Sequence, residues 1–246
     1  MFYDNKNIIK YADKIFLYKK FLSENEINII NNKCKNFSNL DWEYENQEVD
    51  WYKNKTGPNM IELLPIWKKM SDLLYPEYVI HPMLSLLMIK PGDKGMFVHA
   101  DSPGRDMEEE LTQLDMWQTC CIIDYGIITY MGDFKGGEVF YPNIDKNGNP
   151  QEEDYNNCLE VSVTPGDLII HGSCHPYEHG VREVTSGKRY AFTNFMLKPE
   201  ENSGTFYNYK TKEYNEQMNF KNLKELEDNW LRPLEWNPRF PQFQKE

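Results

Sequence analysis

The sequence predicts an α+β fold in one domain, with helical support over residues 1–78, a strand-rich core over 79–198 and a C-terminal extension over 199–246. Three observations carry that prediction. Ser23-Glu-Asn-Glu26 is a capping-box pattern, and Ile27, Ile29 and Ile30 open an apolar face behind it. From Val79 onward the pattern changes to β-branched and aromatic runs separated by Gly, Pro and Asn. Residues 164–196 then read as two strands, Asp167–His171 and Tyr190–Met196, with a shorter run at Val181–Val184 between them.

Taken in order, the first element is a helix over 23–36. Residues 37–57 are polar and aromatic without a clean period, which reads as loop or short edge strand. A second helix starts near Pro58, resumes after Pro65 with Ile66, Met70, Leu73 and Leu74 as one stripe, and ends before Pro76. The run Leu84–Ile89 is a strand, and His81 beside Pro82 reads as structural. The polar insertion 102–118 is long for a structureless connection and is favoured as a mobile substrate lid, an inert surface loop being the even alternative. Residues 119–130 make a strand or two, and 136–142 a turn followed by a strand. Residues 143–154 follow the order of a calcium loop (Asn143, Asp145, Asn147, Asn149, Asp154), but strand-like sequence flanks them on both sides. A hairpin turn at Asn147-Gly148 is therefore preferred to an EF-hand, which needs helices. Thr185-Ser186-Gly187 predicts a tight hairpin ahead of Tyr190–Met196. After Lys198 a helix over 220–230 shows Leu223, Leu226 and Trp230 on one side. An extended tail follows, alternating proline with aromatics.

Composition bounds the function. At 246 residues, 40% hydrophobic and 14% aromatic, the chain has material for a sizeable core. A net charge of −12 excludes a nucleic-acid grip built on clustered Lys and Arg. No apolar run reaches bilayer length, so no membrane partner is expected. The N-terminus lacks the order of a secretory signal. Five cysteines without C-x-x-C spacing read as reduced thiols, which places the chain in the cytoplasm. Nothing in the sequence speaks to oligomeric state.

The chemistry-bearing residues cluster in two places. His99 and Asp101 end an apolar run, and in a strand the i and i+2 side chains share a face. Three of the five histidines, His171, His175 and His179, lie together further on. Adding His179 to His99 and Asp101 makes two imidazoles and one carboxylate, the facial set that leaves coordination positions open on non-haem iron. His99 alone would read as a core histidine. His175 and His179, at i and i+4, would suit a helical zinc pair, but Gly180 and Val181 leave little room for a helix. His171 and His175 are therefore read as neighbours of the metal or of substrate. Ten residues past His179, alternation puts Arg189, Ala191, Thr193 and Phe195 on one strand face. An arginine in that company is inside, where a guanidinium demands an acceptor such as a carboxylate. Thr193 and Phe195 would line that pocket. The plain alternative is an exposed hairpin arginine.

Four segments together, His99-Ala-Asp101, Tyr130-Met-Gly-Asp-Phe-Lys-Gly136-Gly137-Glu138-Val-Phe140, Gly166-Asp-Leu and His179-Gly-Val181 through Arg189-Tyr190-Ala191, resemble the 2-oxoglutarate/Fe(II)-dependent dioxygenase superfamily, nearest its prolyl 4-hydroxylase-like branch. The N-terminal run over 15–30 is similar to that family's entry strand and first helix, and the resemblance spans roughly 14–197. It implies a double-stranded β-helix, a jelly-roll or cupin-like barrel, with the helices packed outside. It implies that His99, Asp101 and His179 bind Fe(II) and carry catalysis. Arg189 would pair with the distal carboxylate of 2-oxoglutarate and Tyr130 would hydrogen-bond to it. O₂ is the implied oxidant, with ascorbate as an auxiliary reductant. The implied activity is hydroxylation of an unactivated C–H bond, foremost a prolyl residue of a peptide or protein. The alternatives are a small metabolite or free amino acid as substrate, and a non-catalytic metal-binding module. A nucleic-acid demethylase is disfavoured by the acidic charge and by the lack of a second arginine soon after Arg189. One departure stands out: Ile89 occupies a position where the family often has tyrosine, which implies a co-substrate pocket rearranged on that side.

Overall fold

The computed structural model describes residues 6–38, 42–45, 51–54, 61–74, 77–80, 85–101, 123–197, 207–208 and 213–214. The expected lid at 102–118, His81, and the expected helix at 220–230 with its tail lie outside these residues.

The N-terminal segment starts with a hairpin of β1 (Ile8–Ala12) and β2 (Ile15–Tyr18). Helix α1 (Glu24–Lys35) follows, with Ser23 as N-cap and both hydrogen bonds of the capping box to Glu26 present. A second hairpin, β3 (Trp42–Glu45) with β4 (Trp51–Asn54), forms where the sequence suggests loop or edge strand. A 3-10 turn at Ile61–Leu63 leads into α2 (Leu64–Ser71), with Pro65 in its first turn, where its missing N–H costs nothing. Helix α2 stops at Ser71, earlier than the Leu73–Leu74 stripe predicts; the Ser71 hydroxyl donates to the Lys68 carbonyl there. Residues 1–78 are thus more than helical support, since they also contribute strands to the main sheet.

The core strands are β5 (Val79–Ile80), β6 (Ser85–Ile89), β7 (Met96–His99), β8 (Tyr125–Gly136), β9 (Val139–Asp145), β10 (Cys158–Val161), β11 (Leu168–Gly172), β12 (His179–Val181) and β13 (Val184–Leu197). A short pair, β14 (Tyr207–Asn208) with β15 (Glu213–Tyr214), lies in the C-terminal extension. The larger sheet runs β1-β2-β11-β8-β13-β6-β4-β3, with β5 also on β13; the smaller runs β10-β9-β12-β7. All the pairings are antiparallel.

Strand alternation gives the larger sheet two working faces. Leu86, Met88, Ile127, Met131, Leu168, Ile170, Tyr190, Phe192 and Met196 pack with Ile30 and Cys34 of α1 and Ile66, Trp67 and Met70 of α2. The intervening residues Tyr130, Ile169 and Ala191 pack with Val139, Tyr141, Leu159 and Val161 of the smaller sheet. This second layer is the sandwich interior, and it is where the polar cluster described below sits.

One sequence expectation is corrected. Thr185-Ser186-Gly187 is not a hairpin: β13 is one long strand paired to β8, with a register shift between Val184 and Ser186. Gly187 (φ +75°) lets the strand pass against the Asp133 carbonyl, a place where a Cβ would overlap that oxygen. His179 and Arg189 therefore belong to different sheets, β12 to the smaller and β13 to the larger. The 143–154 segment joins β9 to β10 as a hairpin, the reading preferred from the sequence over an EF-hand. The Asp145 carboxylate accepts the Asn147 and Asn149 backbone N–H groups at 2.8 and 2.9 Å, so its own turn uses it. Among the described residues no helix is long and apolar enough to cross a membrane, and Cys34, Cys158 and Cys174 are free thiols.

Candidate metal centre

The cluster is assembled by register. On the smaller sheet His179 of β12 pairs directly with His99, the last residue of β7. Asp101 lies two residues past the strand end and turns back, so that its Oδ1 is 3.7 Å from His99 Nε2. One ligand atom each from His99, Asp101 and His179 falls within 4.8 Å of the others, the spacing that one metal ion would bridge. The three residues named from the sequence are thus brought together.

The backbone sets the imidazoles' tautomers. His99 Nδ1 lies 3.1 Å from the Phe97 carbonyl and His179 Nδ1 3.3 Å from the Tyr177 carbonyl. Each Nδ1–H donates to a carbonyl two residues back, leaving Nε2 with a free lone pair. Metal-binding histidines characteristically use this arrangement. Electrostatics points the same way. Burial holds His99 below its ordinary value; it holds His179 well below, with His171 and His99 adding to the effect. Burial lifts the Asp101 carboxyl to about 7. Burial thus disfavours charge on all three side chains, and a divalent ion would favour the carboxylate form of Asp101.

His171 joins this cluster, whereas His175 does not. His171, on β11, is fully buried; its Nε2 lies 3.6 Å from Asp101 Oδ2, and its ring stands at 87° to that of His179 with centroids 4.0 Å apart. His175 is exposed at the rim, its Nδ1 3.1 Å from Glu178 Oε1. Sequence reasoning missed Gly126. It is the register partner of His171 on β8, and a Cβ there would overlap both Asp101 Oδ2 and His171 Nε2. The signal was a lone glycine inside a β-branched run, which marks close approach by another group. Tyr141 was missed too. It shares the inward face of β9 with Val139, its ring lies 5.9 Å from His171 and 6.0 Å from His179, and its hydroxyl is buried without a partner.

Arg189 lies deep in the same interior, 3% exposed. Its guanidinium carbon stands 4.6 Å from the centre of the Tyr130 ring, and its register partners are Gly132 and Ile89. Gly137 (φ +72°) leaves the space that its side chain occupies. Arg189 Nε and the Tyr130 hydroxyl are both buried without a hydrogen-bond partner, and no carboxylate among the described residues forms an ion pair with the guanidinium. Burial pushes the Tyr130 hydroxyl up to about 12, partly offset by Arg189. A buried cation beside a buried phenol is chemically suited to an anionic group entering from outside. Thr193 is half-buried on the same face of β13, two residues beyond Ala191. Ile89 packs with Val181 and Val184, so the wall beside Arg189 is apolar there.

No family model matches the sequence, and no curated protein matches it. Solved structures do. A prolyl hydroxylase from Trichoplax adhaerens, in complex with a peptide fragment of the hypoxia inducible factor oxygen degradation domain, is 15% identical, with 77% of this chain and 86% of that one covered and a TM-score of 0.49. A 2OG-Fe(II) oxygenase family oxidoreductase from Burkholderia pseudomallei is 14% identical, with 75% and 85% covered and a TM-score of 0.47. A prolyl-4-hydroxylase from Pseudomonas putida is 12% identical, with 75% of this chain and 92% of that chain covered and a TM-score of 0.52. At that identity, what this chain shares with the P. putida protein is its fold alone.

Proposed function

We propose that the chain is a 2-oxoglutarate- and Fe(II)-dependent dioxygenase that hydroxylates an unactivated C–H bond, with a prolyl residue of a peptide or protein as the favoured substrate. The observation that carries the reading is the convergence of His99, Asp101 and His179 inside the sandwich, with an unpaired buried Arg189 in the same interior. A zinc hydrolase would give that guanidinium no role. The prolyl preference is supported by the fold shared with the P. putida prolyl-4-hydroxylase and by the sequence segments around Tyr130 and Arg189.

The donor set fits the group: two neutral imidazoles with free Nε2 atoms and one carboxylate suit Fe(II) and leave half of an octahedron open. Bound iron, with 2-oxoglutarate and O₂, supplies the oxidative decarboxylation and oxygen insertion that no side chain provides. The chain's own part is geometric. Arg189 and Tyr130 hold the far carboxylate of the diacid, which fixes the direction of its keto acid end. Thr193 lines the same pocket. Ile89, Val181 and Val184 exclude water from one side of it.

The test is turnover of 2-oxoglutarate to succinate by the full chain with Fe(II), with and without a proline-containing peptide library read by mass spectrometry. The expected result is succinate formation that is lost in His99→Ala, Asp101→Ala and His179→Ala, together with peptides that gain one oxygen atom on proline. Succinate formation unchanged in those variants refutes the site. Succinate without any modified peptide moves the substrate to a small metabolite or free amino acid.

A further inference from the structure

Resting on the metal-site reading above, the inference gives a role to a residue that reading leaves idle. His171 sits mid-strand on β11, fully buried, and neither ring nitrogen has a hydrogen-bond partner. A buried imidazole with both nitrogens unpaired is an exception that calls for a reason. The neighbouring polar atom is Asp101 Oδ2, 3.6 Å from Nε2, also buried and also without a partner. A potential donor and a potential acceptor thus face each other across a short gap. The fold keeps that gap clear. At Gly126, paired in register with His171, a side chain would overlap both atoms at once. The two oxygens of Asp101 are divided, Oδ1 toward His99 Nε2 and Oδ2 toward His171. The ligand atoms that converge on one point come from His99, Asp101 and His179, and His171 is not of that set.

We propose that His171, in its Nε2–H form, is a positioning residue for Asp101. Closing the gap by less than about 1 Å makes the bond to Oδ2. Oδ2 is then held away from the metal, and Asp101 coordinates through Oδ1 alone. The neighbouring coordination position stays free for co-substrate. Gly126 is the space that permits this pairing.

The experiment is titration of the purified full chain with Co(II), followed by visible absorption and calorimetry, on the parent and on His171→Phe, His171→Gln and His171→Asn. Gln carries its amide nitrogen where imidazole carries Nε2, whereas Asn falls short. Phe and Asn are expected to bind Co(II) about 10- to 100-fold more weakly, and Gln to stay within a few-fold of the parent. The cobalt bands keep their positions in Gln, which still holds Oδ2, whereas in Phe and Asn the released Oδ2 is free to reach the metal. If Phe misfolds, the Gln–Asn contrast decides. Parent-like affinity in Phe or Asn overturns the proposal, and so does equal weakening in Gln. Shifted cobalt bands in the Gln variant make His171 a ligand, which overturns it as well. A parent that binds no Co(II) sinks the metal-site reading itself, a result distinct from all of these.

Discussion

Arg189 illustrates how one residue serves a site at a cost to the fold. A guanidinium buried to 3% exposure, with no ion pair to a carboxylate among the described residues, has lost much of its hydration. Replacing it with Met should leave the melting temperature of the metal-free chain unchanged or higher. The same change should raise the 2-oxoglutarate KM about 10- to 100-fold, the loss of charge-assisted hydrogen bonds worth about 1.5–3 kcal/mol. Thermal melts and initial rates against 2-oxoglutarate concentration check the two halves separately. An unchanged KM would remove Arg189 from co-substrate binding. Alternation on Tyr190–Met196 was enough to turn Arg189 inward from sequence alone. His171 was not legible in the same way, because its partner Asp101 lies seventy residues away and only strand pairing brings them together.

At the scale of elements, α1 was the most readable piece, since its start is written in four consecutive residues. Its Ser23–Glu26 capping box is formed, and Gly132 of β8 donates its N–H to Asn31 Oδ1 at 2.8 Å, tying the helix to the main sheet. Ser23→Ala should cost about 1 kcal/mol, or a melting point lower by about 2–4 °C for a chain of this size. Far from the interior, it should leave Co(II) affinity as it was, and calorimetry with the same titration checks both. The β13 segment misled for a physical reason. Gly187 with φ > 0 serves a hairpin turn and a strand bulge equally well, and the choice is made by the β8 partner, not by the local residues.

For the whole molecule, the sandwich interior combines apolar packing with a polar cluster that a cation would complete. Ligand binding to the folded state alone adds stability as RT ln(1 + [L]/Kd), about 2.7 kcal/mol at one hundred times Kd. Co(II) or Mn(II) at that level should raise the melting temperature by about 5–10 °C. The rise should vanish in Asp101→Ala and His179→Ala. A scanning melt with and without metal reads it directly, and an equal rise in those variants would mean the ion binds elsewhere.

Residue type and spacing alone determined the helix start at Ser23, the strand character of the core, the inward face of Arg189 and the candidate ligands His99, Asp101 and His179. These follow from local periodicity and donor chemistry, which every short window of sequence carries. Tertiary structure alone decided that His171 belongs to the cluster and His175 does not. It alone made Gly126 the space between two side chains, and it put His179 and Arg189 on opposite sheets. The reason is that strand pairing joins residues far apart in the chain, and which strands pair depends on the energy of the whole sandwich, not on any one stretch.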